Sequence, residues 1–104
     1  MDISQALSII KKGLSEKNVT ESIHFKEGCQ ERNLPLVEIT KTIAENEIVG
    51  IIQQGQNLYK VWFIYVNNKD LIVIIRMLPD KGLRLVTLYL CNAERRKREN
   101  VPKS

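Results

Sequence analysis

Apolar positions recur at helical spacing through the first part of the chain and at strand spacing through the second half. Ile3, Ala6, Leu7, Ile10 and Leu14 fall on one face of a helix, with Gly13 as a stop near its end. Asn18 and Thr20 offer caps for a second helix that runs through His24, Phe25 and Cys29 to about Arg32. Pro35 breaks the pattern, although proline also suits a first helical turn. Val37, Ile39, Ile43 and Ala44 then predict a short third helix ending near Glu45. Runs 48–53, 58–66, 71–78 and 83–91 are rich in Val, Ile, Leu, Tyr and Trp and read as strands. Turn residues separate them at Gln54–Asn57, Asn67–Asp70 and Pro79–Gly82. Connections this short demand antiparallel hairpins, because parallel neighbours need a long crossover. The expected fold is α+β: two to three N-terminal helices followed by a four-stranded antiparallel β-meander.

Strand alternation sorts the side chains once a register is chosen. Pairing Val66 with Leu71 and Leu78 with Leu83 puts Trp62, Ile64, Val66, Leu71, Val73, Ile75, Met77, Val86, Leu88 and Leu90 on one aliphatic face, expected under the helices. Phe63, Tyr65, Ile72, Ile74, Arg76, Leu85, Thr87 and Tyr89 then share the other, partly wet face.

The 104 residues carry 43% hydrophobic and 27% charged side chains, the composition of one ordinary globular domain. A disordered chain, a collagen-like repeat and a disulfide scaffold are excluded. The longest apolar runs, 61–66 and 71–75, fall far short of the roughly 20 residues of a membrane helix. No secretory signal opens the chain, so the expected location is the cytoplasm. Cys29 and Cys91 read as free thiols, and with His24 as the one histidine neither a metal site nor a cofactor is expected. Sixteen Lys+Arg against 12 Asp+Glu give a net charge of +4, which favours an acidic partner such as RNA. Much of that charge sits in Arg95-Arg96-Lys97-Arg98, within a basic tail over 92–104.

No phosphate-binding glycine loop, zinc-binding helix motif or nucleophile elbow appears. His24 is the one histidine, the residue type best suited to proton transfer near neutral pH, and Arg32, two helical turns on, can point the same way. The run His24-Phe25-Lys26-Glu27-Gly28-Cys29-Gln30-Glu31-Arg32 resembles the H-A-x-E-R-M-x-E-R helix signature of the small bacterial domain-of-unknown-function family 4258. That family's late strand pattern, aliphatic-Thr-aliphatic-Tyr, is similar to Leu85-Val86-Thr87-Leu88-Tyr89. The resemblance spans about 20–91, leaves 1–19 as a helical extension, and departs at Gly28, where an arginine would stand, and at Asn33, where glycine is usual.

The resemblance implies a RelE-like or BrnT-like toxin fold in the wider barnase group. It also implies a metal-independent endoribonuclease of a toxin–antitoxin system, with RNA as substrate and a cognate antitoxin as partner. Carried over by position, His24, Glu27, Arg32 and Thr87 are the matched residues. Metal-free RNA cleavage needs a proton-transfer pair and cations for the developing phosphorane charge. His24 serves as acid or base, Arg32 and Arg76 hold the phosphate, and Thr87 completes the predicted catalytic set. Tyr65, Tyr89, Lys60, Arg95 and Arg96 are the predicted substrate-binding residues, through hydroxyl, stacking or phosphate contacts. Two alternatives remain: a non-catalytic module of the same fold that binds a protein or nucleic acid, and an interaction protein using the 48–53 edge strand.

Overall fold

The computed structural model describes residues 2–66, 68–80 and 82–92. In chain order the elements are α1 (Ile3–Ser15), β1 (Val19–Glu21), α2 (Ile23–Glu31), α3 (Leu36–Glu45), β2 (Ile48–Gly55), β3 (Leu58–Ile64), β4 (Lys69–Met77) and β5 (Leu83–Asn92). The fold is α+β, as expected, and β2 to β5 form the expected antiparallel meander. Among the described residues the sheet nevertheless has five strands in the order β1-β5-β4-β3-β2, and β1 runs parallel to β5. The four-stranded, wholly antiparallel sheet is therefore corrected to a five-stranded mixed one. Val19-Thr20-Glu21, expected near a helix start, is an edge strand because its backbone finds a ladder on β5 that no local pattern announces. Among the described residues, no helix is long and apolar enough to cross a membrane.

Local chemistry explains the helix boundaries. Asp2 and Gln5 exchange side-chain and backbone hydrogen bonds at 2.8 and 3.0 Å, a capping box that opens α1. Ser22, rather than Asn18 or Thr20, caps α2, its Oγ accepting from the Phe25 N–H at 3.0 Å. Asn33 closes α2 with φ 53°, a left-handed conformation that favours glycine and that asparagine tolerates best among the other residues. Gly13 does not stop α1. The helix passes through it and approaches β5 so closely that an added Cβ would lie 2.8 Å from Leu83 Cδ1.

One face of the sheet packs under the helices. Ala6, Ile10 and Leu14 of α1, Phe25 and Cys29 of α2, and Ile39 and Ile43 of α3 meet Val61, Phe63, Leu71, Val73, Ile75, Leu85 and Leu88 in one core. The segment read as an extension thus supplies three core side chains. β3 departs from the expected register: Phe63, not Val66, stands opposite Leu71, a shift of three residues. The cause is a tight turn in which the Lys69 N–H donates to the Val66 carbonyl at 2.9 Å, so that Lys69 and Asp70 join β4. An odd shift exchanges faces. Phe63 and Tyr65 therefore lie on the helix side, and Trp62 and Ile64 on the other.

β4 and β5 start in one register, Met77 with Leu83 and Ile75 with Leu85, and continue in another from Ile74 with Thr87. Val86 is the extra residue of a β-bulge. The bulge turns Leu85 to the core and leaves Thr87 and Tyr89 on the second face.

Replacing Gly13 by alanine tests the α1–β5 approach. Alanine is the better helix former by about 1 kcal/mol, yet its methyl must displace Leu83, which is 1% exposed. Gly13→Ala is expected to lower stability by about 1–2 kcal/mol, as overpacking does, read as a reduced urea midpoint. A raised midpoint would show that Leu83 yields freely.

Candidate functional site

Along α2 the residues His24, Glu27, Gly28, Glu31 and Arg32 follow the spacing of a single helix face. The adjoining face buries Phe25 and Cys29 in the core, which fixes the direction of the first. That first face looks onto β5 just beyond the point where β1 ends, since β1 pairs only as far as Leu85. There His24, Glu27, Gly28, Glu31 and Arg32 line a cleft of about 410 Å³ with Val86 and Thr87 of β5. His24, Arg32 and Thr87, three of the four predicted catalytic residues, are thus brought together across more than sixty positions of chain.

Ser22 holds the two walls in place. Its Oγ caps α2 and also donates to the Val86 carbonyl at 2.6 Å, while its N–H donates to the Leu85 carbonyl at 2.9 Å. The bulge exposes a carbonyl that a regular strand would present differently, and one buried hydroxyl satisfies it. Gly28 sets the closeness of the walls: an added Cβ would stand 3.0 Å from Leu88 Cδ2 and 3.3 Å from Arg32 Nη1. A larger side chain there would have to displace Leu88 or Arg32.

The cleft holds an imidazole, two carboxylates, a guanidinium and a hydroxyl. Arg32 Nη1 donates to the Gly28 carbonyl at 3.2 Å, so the guanidinium covers the last turn of α2, where a cation is favoured. Beneath it, burial pushes the Cys29 thiol up, opposed by the Arg32 charge and aided by that of Glu21. No group of three or more His, Cys, Asp and Glu among the described residues is arranged to hold a metal ion.

The remaining predicted residues lie elsewhere. Arg76 is exposed on the second face of the sheet, at the far end of β4, where its cross-strand neighbour is Arg84. Tyr65 packs against the helix-side core. Tyr89 and Lys60 are on the second face, the Lys60 ammonium 4.7 Å from the Trp62 ring centroid and 5.8 Å from that of Tyr89. Arg95 and Arg96 lie outside the described residues. A larger groove of about 610 Å³ between α1, β1 and α3 is lined by Leu14, Val19, Ile43 and Leu85 among others and contains none of the predicted residues. From the sequence, Glu31 shares a helix face with Glu27, but such spacing is commonplace and assigns it no role; Val86 and the role of Ser22 are missed, because both depend on the bulge.

Two measurements check this construction. Ser22→Ala removes a cap and strands the Val86 carbonyl, and is expected to cost about 2–3 kcal/mol in urea unfolding; a loss below 0.5 kcal/mol, roughly that of a surface change, would show that the bond is dispensable. Cys29 is 2% exposed and Cys91 half-buried. Iodoacetamide at neutral pH should therefore modify Cys91 in the native protein and reach Cys29 only on unfolding.

No curated protein and no solved structure matches the chain. The MJ0788 family model does, over residues 4–75, a span that begins in α1, includes the whole of α2 and ends within β4. With more than half of its length matched, the chain belongs to the MJ0788 family.

Proposed function

We propose that the protein is a metal-independent endoribonuclease of the toxin type, cutting RNA in the α2–β5 cleft. The observation that carries this reading is the convergence of His24, Glu27, Arg32 and Thr87 on one cleft. A carboxylate, an imidazole and a guanidinium are the groups that phosphodiester transfer to an internal hydroxyl requires. Glu27 removes the 2′-hydroxyl proton, the 2′ oxygen forms a bond to the adjacent phosphorus, and the P–O5′ bond breaks. His24, protonated, delivers its proton to the departing O5′. The products are a 2′,3′-cyclic phosphate and a 5′-hydroxyl, with no co-reactant consumed. Arg32 neutralises the non-bridging oxygens, and the Thr87 hydroxyl donates a hydrogen bond to one of them. The net charge of +4 supports a polyanionic substrate, and an antitoxin that blocks the cleft belongs to the same reading.

A second reading, a non-catalytic module that binds a protein or nucleic acid, is favoured by one observation. Glu27 and Glu31 place two carboxylates beside a single arginine, a balance that suits a basic partner group as well as a phosphate.

Purified protein incubated with labelled single-stranded RNA in EDTA separates the two. Cleavage leaving a cyclic phosphate is expected, with the rate lowered by about 10²–10⁴-fold in His24→Ala. Intact RNA with the folded wild type, or cleavage indifferent to His24→Ala, overturns the nuclease reading.

A further inference from the structure

The second face of the sheet carries a charge arrangement that the cleft does not use. Strand registers place Leu58, Arg76, Arg84 and Thr20 side by side across β3, β4, β5 and β1. The next row on the same face is Lys60, Ile74 and Thr87. Arg76 and Arg84 are therefore directly opposed on adjacent antiparallel strands, both exposed. Like charges in that position destabilise a sheet. Among the described residues neither guanidinium forms an ion pair or a hydrogen bond, so no described group offsets the repulsion. The one acidic side chain that these registers put on this face, Asp70, is fully buried at its other end.

We propose that Arg76 and Arg84 form a phosphate-binding site for the backbone of single-stranded RNA, positioning the strand that enters the cleft. The assignment rests on the reading of the cleft as an RNA site, because continuity with it selects RNA over other anions. Thr87 lines the cleft and lies on the same face as Arg84, three residues further along β5, about 10 Å at strand rise. A strand leaving the cleft past Thr87 therefore reaches the arginine pair within one or two nucleotides. Two adjacent guanidinium forks match the oxygens of one phosphate or of two successive ones. An anion held between them also offsets the repulsion between the two guanidinium groups. Arg76 thus moves from the predicted catalytic set to a positioning role, and Arg84 joins it.

The test measures binding of a fluorescein-labelled single-stranded RNA to the full chain by anisotropy, across a salt series and in a His24→Ala background so that the RNA stays intact. Arg76→Ala and Arg84→Ala are each expected to weaken binding roughly tenfold. The salt slope should fall by about 0.7 for each lost phosphate contact. Arg84→Glu creates a cross-strand ion pair with Arg76 and should raise the melting temperature while lowering RNA affinity, which separates loss of the site from loss of the fold. Unchanged affinity and salt slope in the double alanine variant, with a wild type that still cleaves RNA, overturns the inference and leaves the nuclease reading standing. Arginine-dependent RNA binding by a wild type that cleaves nothing supports the inference and overturns the nuclease reading. Polyglutamate competing as well as unlabelled RNA would assign the pair to an acidic protein instead and overturn it.

Discussion

The geometry of the cleft depends on one serine. Ser22 stands where β1 ends and α2 begins, and its buried hydroxyl serves both as the cap of α2 and as the donor to the carbonyl exposed by the β5 bulge. A helix N-terminus and a strand irregularity each leave backbone groups that are costly to bury without partners. Here the two deficits meet at a single Oγ. The bonds fix the start of α2 against β5, and with it the position of every side chain on the helix face that follows. Gly28 lets the helix lie flat against Leu88 further along, so the two walls are held at both ends.

The sheet is asymmetric in what it presents. Its helix side is a continuous apolar core shared by all three helices. Its second side grades from Trp62 and Ile72, which are buried, to Arg76 and Arg84, which are exposed. Gly50 contributes to the buried part, since a Cβ there would press on the Trp62 ring at 3.2 Å. The exposed part keeps two arginines in an arrangement that lowers stability. Among the described residues neither guanidinium has a pairing partner, so no described ion pair or hydrogen bond offsets the cost of opposing two like charges.

The cleft follows a similar logic. Its imidazole, carboxylates and guanidinium all come from one helix face, spaced by the helical repeat, and the opposing wall is the β5 segment that β1 leaves uncovered. Had β1 been longer, it would have closed the β5 edge and the cleft with it. The short parallel strand is therefore as much a determinant of the site as the residues that line it.

Much was legible in the sequence for direct physical reasons. Helical periodicity identified α1, α2 and α3 to within a few residues, and β-branched runs between turn residues identified β2 to β5. These signals are local, because they arise from side-chain spacing along one element. The eight-residue spacing of His24 and Arg32 likewise put both on one helix face before any tertiary contact was known. What the sequence could not determine is the part set by pairing between distant segments. Three consecutive residues, Val19-Thr20-Glu21, carry too little pattern to announce a parallel edge strand. The register of β3 turned on one hydrogen bond between Val66 and Lys69, and an odd shift exchanged Trp62 with Phe63. The bulge at Val86 redirected Leu85, and the same pairing carried Arg76 away from the cleft and set it opposite Arg84. Periodicity names the elements; only the tertiary structure, through register, decides which side chains meet.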